Sequence, residues 1–338
     1  MGIVPFLRNI LLPPPTGTST VSLDLEKQPR VEIYGPAGIR NFVRQIMKMT
    51  LTKTSDNYVV HELLKPEDRI TACVPHGLGA YSIQELDMMH YNEVAGQDIF
   101  CSDDGFWKGF TTARGVYGDI YVDAGPISHR DPCLGYIIRE ASNAGRKLVI
   151  LGDTHDPSAI IPLCVEPHPS LLIHEATDVH IPRHVDYNSR RTPEAVLDKA
   201  LARGHSIPTM AGTFAKKIGA ERLVLNHIGG RFPAPKYPTD HRSAVMREIE
   251  RQATDAWGSR TPAVAAYDFM QVVIPPIPSP VRSEEAVISG ILRRSLAVTD
   301  SQSTKLARTQ LAHADPVEGF LYPDRSQHHS NRSKKRRP

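Results

Sequence analysis

Three short apolar runs constrain this chain most, because each stops on a residue that can bind a metal or carry a proton. KLVIL runs into Gly152-Asp153, SLLI into His174-Glu175, and RLVL into Asn226-His227. Apolar runs of four or five residues with polar ends read as buried strands. Two helix patterns separate the second run from the third. In the first, Thr192 caps, Pro193 takes the first helical position and Gly204 stops the helix. In the second, Ser206 caps a helix that carries Met210, Phe214 and Ile218 every four residues and closes at Gly219. This alternation specifies a layered α/β fold. Strands of such folds bring residues that are distant in sequence to one sheet edge, where ligands bind.

The same pattern extends in both directions. Residues 31–34 read as a strand, followed by a helix over 37–48 with Ile39, Phe42, Val43 and Ile46 at helical spacing. Residues 57–63 and 69–74 are strand-like, as are 120–122 and 134–139, and 242–257 forms a charged amphipathic helix. After Pro275 the run IPPIPSP, a weak helical patch at 284–296 and a polar tail read as linker and disorder. The expected organisation is a folded domain over 1–274 and a Pro-rich linker with a basic tail over 275–338. The terminal SKKRRP reads either as a nuclear-import signal or as a solvated tail.

Charge and cysteine content narrow the function classes. The chain carries +3, and its last 18 residues hold six basic residues and one Asp, which leaves −2 for the other 320. Net charge therefore gives no support for nucleic-acid binding. The scattered Cys73, Cys101, Cys133 and Cys164 form no C-x-x-C pair and read as free thiols of a reducing compartment. No apolar run approaches the ~18 residues of a membrane helix, so no membrane partner is expected. The N-terminus has no secretory pattern, and one Arg gives little support for a transit peptide.

Neutral imidazole and carboxylate are ligands that a catalytic zinc prefers, and a carboxylate can bridge two ions. Ligand type alone also admits manganese or iron. His129 sits in a loop before LGYII, so it joins Asp153, Glu175 and His227 as a candidate. His76, His90 and His155 read as loop histidines, and His174 as a packed or hydrogen-bonded one.

The ordered words are more specific than the spacing. IYGPAGIRNFV, SHRDPCLGYII, GDT, HEAT, GHS and NHIGGR occur in sequence between residues 33 and 231. This set resembles the ribonuclease Z branch of the metallo-β-lactamase superfamily, the transfer-RNA 3′-end processing endonucleases. The resemblance implies an αββα sandwich with two zinc ions at one edge of the paired sheets. It implies that His129 binds one zinc, His227 binds the other and Asp153 bridges them. It also implies that His205 protonates the leaving oxygen, that Glu175 orients His205, and that Arg231 grips the phosphate. Precursor transfer RNA is then the substrate, a homodimer the expected assembly, and the interior of the cell (nucleus, cytoplasm or mitochondrion) the location.

The chain also departs from that family. The HxHxDH motif that members carry ahead of the IYGP segment is not in these 338 residues. The chain thus reads as an N-terminally truncated sandwich that begins just after the motif. Three ligands spread over two metals leave at most two protein contacts each, where catalytic zinc normally has three. Weak metal retention and slow hydrolysis follow. The stretch between LGY and GDT is also too short for a substrate-clamping arm. Two other functions stay open: a phosphodiesterase or hydrolase of the superfamily acting on a small molecule, and an inactive remnant or binding subunit.

Overall fold

The apolar runs form the strands expected of them and are arranged in two sheets. The structure, a computed structural model, describes residues 3–11, 29–75, 85, 87–116, 118–141, 145–237 and 239–276. His76, the helical patch at 284–296 and the basic tail lie outside them.

Helix α1 (Ile3–Leu11) is followed by β1 (Val31–Pro36), α2 (Ile39–Met49), β2 (Tyr58–Leu64), β3 (Glu93–Val94) and β4 (Asp98–Phe100). These strands make a small parallel sheet in which β2 pairs with the other three. Next come β5 (Trp107–Gly115), β6 (Gly118–Ile127), β7 (Cys133–Glu140) and β8 (Lys147–Leu151). The short helix α3 (Ile161–Cys164) precedes β9 (Leu171–Glu175), α4 (Pro193–Ala202), α5 (Pro208–Lys217), β10 (Leu223–Asn226), α6 (Arg242–Trp257) and β11 (Val264–Ala265). The second sheet runs β11-β10-β9-β8-β7-β6-β5. Its β5–β8 half is antiparallel and its β8–β11 half parallel.

Three apolar clusters build four layers. Leu7 and Leu11 of α1 meet Val43 and Met47 of α2 over Tyr58 and Val60 of β2. Leu63 packs between the sheets against Trp107, Ala124 and Leu134. The largest cluster joins the second sheet to α5 and α6 through Val149, Leu172, Leu225, Phe214, Ile249 and Trp257. Burial of each such side chain stabilises the fold by about 1.5–3 kcal/mol. The layers are therefore helix, sheet, sheet, helix, the α/β sandwich that the strand pattern specifies.

Three local expectations are corrected. Residues 69–74 form no strand, and only Val74 makes an isolated bridge, to Met88. The buried guanidinium groups of α2 occupy the backbone acceptors there: Arg40 donates to the Thr71 carbonyl at 2.6 Å and Arg44 to the Ala72 carbonyl at 2.9 Å. Phe42 lies on the exposed face of α2, and the buried face carries Arg40, Val43, Arg44, Met47 and Lys48. Ser206 does not cap α5. Its hydroxyl donates to the Thr154 carbonyl at 2.6 Å, and the backbone enters the helix through Ile207 and Pro208.

Candidate active site at one sheet edge

β8, β9 and β10 run parallel and end level with one another, with Ile150 opposite Ile173 and Glu175 opposite Asn226. Asp153 lies two residues past β8, Glu175 is the last residue of β9, and His227 is the first past β10. His205 enters from the turn between α4 and α5. Together Asp153, Glu175, His205 and His227 each offer one ligand atom, and these atoms lie within 4.8 Å of one another. His129, from the loop after β6, reaches the same edge, with its ring centroid 5.0 Å from that of His205; His205 is in turn 5.3 Å from His227.

Local backbone features bring these side chains there. Gly204, at φ +77°, ends α4, and a Cβ at this position would sit 2.6 Å from His129 Nδ1. That nitrogen donates to the Gly204 carbonyl at 2.7 Å, so the missing side chain is what lets the imidazole dock on the turn. Gly229 meets the same constraint: a Cβ there would lie 2.4 Å from the Thr177 carbonyl, and its N–H donates to that oxygen at 3.1 Å. His227 itself has φ +51°, a left-handed conformation that is uncommon for a residue other than glycine and concentrates at functional sites.

The five groups differ in how far their hydrogen-bonding capacity is used. Glu175 is 1% exposed and fully committed. Its Oε1 accepts the Thr154 N–H at 2.7 Å and His205 Nδ1–H at 3.0 Å, and its Oε2 accepts the Thr177 hydroxyl. Asp153 and His227 are 42% and 47% exposed and meet at 3.0 Å. His227 Nδ1 also lies 3.1 Å from the Thr177 hydroxyl oxygen. In all three histidines Nδ1 faces an acceptor, which fixes it as an N–H and leaves Nε2 to offer a lone pair or to carry a second proton. Nε2 of His129 and of His227 with the half-open Asp153 carboxylate would make a nitrogen–oxygen donor set that suits zinc or a similar ion, although the ligand atoms that converge within 4.8 Å are those of Asp153, Glu175, His205 and His227, without His129. Glu175 does not belong to that open set, because its oxygens already have partners.

Arg231 follows the Gly229-Gly230 turn, is exposed, and makes no hydrogen bond among the described residues. It lines a 200 Å³ recess with His205 and Lys199, and also a larger one of 510 Å³. Nearby, Asp178 takes two hydrogen bonds from Arg191, both 2.6 Å. Burial pushes its carboxyl up, but Arg191, aided by Arg231, outweighs burial and holds it below the usual range. His174 points away from the edge; it is fully buried, donates from Nδ1 to the Glu175 carbonyl at 2.8 Å, and burial lowers its pKa. His90 is likewise buried, with Nε2 2.8 Å from the Thr52 carbonyl. Thr154 and Thr177, the last letters of GDT and HEAT, are partners that the sequence reading passed over although their words contained them.

No protein-family model matches the chain. Among curated proteins it is 27% identical over 310 residues to the human zinc phosphodiesterase ELAC protein 1, with 76% of this chain and 78% of that one covered. It is 29% identical over 246 residues to ribonuclease Z of Streptococcus sanguinis, covering 66% and 69%, and 25% identical over 253 residues to that of Bacillus subtilis, covering 72% and 70%. Among solved structures, the short form of human tRNase Z (ELAC1) aligns with a TM-score of 0.44 at 28% identity over 74% of this chain and 70% of that one. The ordered words and the identity over about three quarters of the chain carry the relationship: this protein is a relative of the ribonuclease Z and zinc phosphodiesterase ELAC proteins.

Proposed function

We propose that this chain is a metal-dependent endoribonuclease that cleaves precursor transfer RNA at its 3′ end. The observation that carries the reading is the convergence of Asp153, His205 and His227 with Glu175 at one sheet edge, in a chain related to ribonuclease Z. Asp153, His129 and His227 would hold the metal. When bound, zinc lowers the pKa of a water and draws charge from the phosphate oxygens.

The chain's own residues supply the other steps. Glu175 holds His205 by Nδ1, which directs Nε2 toward the open edge, where it would hand a proton to the departing ribose oxygen. Arg231, which makes no hydrogen bond among the described residues, offers a planar fork beside His205, a match for phosphodiester oxygens. Thr177 bridges the buried and open halves, since it touches both Glu175 and His227. Among the described residues no helix is long and apolar enough to cross a membrane. RNA processing would place the chain in the nucleus, cytoplasm or mitochondrion, and a second copy is the partner that the family resemblance implies.

The test combines cleavage and metal content. The chain supplied with zinc should release the trailer from a precursor transfer RNA, and Asp153→Ala should lose both cleavage and zinc. His205→Ala should slow cleavage by about 10²–10⁴-fold and keep its zinc. A His205→Ala protein that cleaves at the parent rate, or an Asp153→Ala protein that keeps both zinc and cleavage, would overturn the assignment.

A further inference from the structure

Beyond Arg231 the surface opens into a 510 Å³ cleft, within the span of ~300–1,000 Å³ typical of ligand sites. Its lining brings together Arg190, Arg191, Arg231 and Arg242 with His180 and His241, against one carboxylate, Asp186. Arg191 is held by Asp178, and Asp240 accepts the Arg242 backbone N–H at 3.0 Å while lying 3.8 Å from the Arg242 guanidinium and 3.1 Å from His241 Nδ1. Arg190 and Arg231 are exposed and make no hydrogen bond among the described residues. Val179, Phe232 and Val245 give one wall an apolar face. Arg231 also lines the recess that contains His205, so the cleft continues from the cleavage site.

With Asp178 against Arg191 and Asp240 beside Arg242, Arg190 and Arg231 still leave the cleft positive in a chain whose first 320 residues sum to −2, and such local charge attracts a polyanion. Guanidinium forks beside an apolar wall suit a single RNA strand, with phosphates on the forks and a ribose or base on the wall. We propose that this cleft holds the nucleotides flanking the cleaved bond, with Arg190 on a backbone phosphate. The inference rests on the reading of the neighbouring edge as a phosphodiester-cleaving site and adds to it the path of the strand.

The test measures binding and cleavage separately. Anisotropy of a labelled ten-residue 2′-O-methyl phosphorothioate oligonucleotide, which resists cleavage, reports affinity for the zinc-supplied chain across a salt series. Arg190→Ala should weaken binding about tenfold and flatten the logarithmic salt slope by about 0.7, the value for one phosphate contact on a single strand. Arg190→Lys should restore the slope. Arg8→Ala, which removes the same charge from the exposed face of α1, should change neither. If the parent chain cleaves precursor transfer RNA but Arg190→Ala keeps affinity and slope, the cleft assignment falls and the activity stands. If binding depends on Arg190 as described but no RNA is cleaved, the cleft stands and the activity falls. Equal losses for Arg8→Ala and Arg190→Ala would reduce the effect to net charge and overturn the proposal.

Discussion

Both sheets of this molecule gather arginine, histidine and carboxylate side chains, but they do so in opposite ways. On the helix side of the small sheet, Arg40, Arg44 and Lys48 project from one face of α2 at four-residue spacing, and all three are 1% exposed. Arg44 lies 2.8 Å from Glu93, with both side chains 1% exposed. Arg40 reaches the Val60, Thr71 and Gln97 carbonyls and Asp98, while Glu62 accepts the backbone N–H groups of Gly38 and Arg40. Lys48 ends on the Glu85 and Met88 carbonyls, and burial lowers its pKa. At the edge of the large sheet, Asp153 and His227 are nearly half exposed and Arg231 makes no hydrogen bond among the described residues. A sealed network with its donors committed joins segments of chain. An open group with spare lone pairs can exchange its partners for a ligand.

The comparison breaks first at Arg44. Arg44→Ala leaves Glu93 buried without its counter-charge, and such a loss costs about 3–5 kcal/mol. Urea unfolding should show that drop, with activity falling only as the fold does. Asp153→Asn should move the midpoint little, as half-exposed substitutions do. If Arg44→Ala were as stable as the parent chain, the sealed network would have no structural role. Next in size is Glu175→Gln, which keeps the shape but replaces one acceptor oxygen with an amide donor against N–H and O–H groups. Loss of such an orienting carboxylate slows metal hydrolases about 10–100-fold. Single-turnover cleavage should show that decrease, and zinc content should stay at the parent value.

Legibility in the sequence followed the kind of residue involved. Strands β7 to β10 of the large sheet could be read because each carries a short apolar run between polar stops, and Thr192, Pro193 and Gly204 set the bounds of α4; β5, with the sequence WKGFTTARG, and the two-residue β11 carry no such run. The buried face of α2 could not, because a periodicity argument sends arginine and lysine to solvent and Phe42 to the core. Arg40, Arg44 and Lys48 are buried because strands and loops far along the chain supply their acceptors, which a local pattern does not contain. Asp153, Glu175, His205 and His227 could be named because their words stood in order, but the commitment of Glu175 and the openness of Asp153 needed the fold. The arginine cleft was hidden by averaging: net charge sums over the surface, whereas Arg190, Arg231 and Arg242 come from separate loops and a helix start.

A smaller effect sharpens the boundary between the two regions. Gly204 lets His129 join the open edge, and it has φ +77°. Gly204→Ala puts a Cβ into the left-handed region at about 1–2 kcal/mol and into contact with His129 Nδ1. Thermal unfolding should report the stability loss. Cleavage should fall further than the lost stability explains, because the imidazole must leave the turn. An alanine variant with a lower melting point and unchanged cleavage would remove His129 from the site.

The smallest effect tests the sealed region by pH. His61 stacks on Tyr34 with centroids 4.5 Å apart and accepts the Gln97 N–H at its Nδ1. Its Nε2 has no hydrogen-bond partner among the described residues and lies 4.0 Å from a Glu32 oxygen. Burial pulls its pKa below the ordinary 6.5, Glu32 opposes that pull, and Arg40 adds to it. Below about pH 6.5 the unfolded chain therefore takes up this proton before the folded one. The stability that comes from keeping His61 neutral is complete above that value and is lost as pH falls toward the folded pKa. His174 shifts in the same direction through burial, so it adds to the parent's acid limb. His61→Gln keeps an acceptor for Gln97 but removes the proton site. Between pH 7.5 and 5.5 its urea midpoint should fall less than the parent's. Equal falls would mean that the fold leaves the proton affinity of His61 unchanged, and a larger fall in His61→Gln than in the parent would mean that His61 carries its proton in the fold, with Glu32 as its counter-ion. The small sheet would then contain an ion pair with a half-exposed carboxylate, unlike the sealed pair of Arg44 and Glu93.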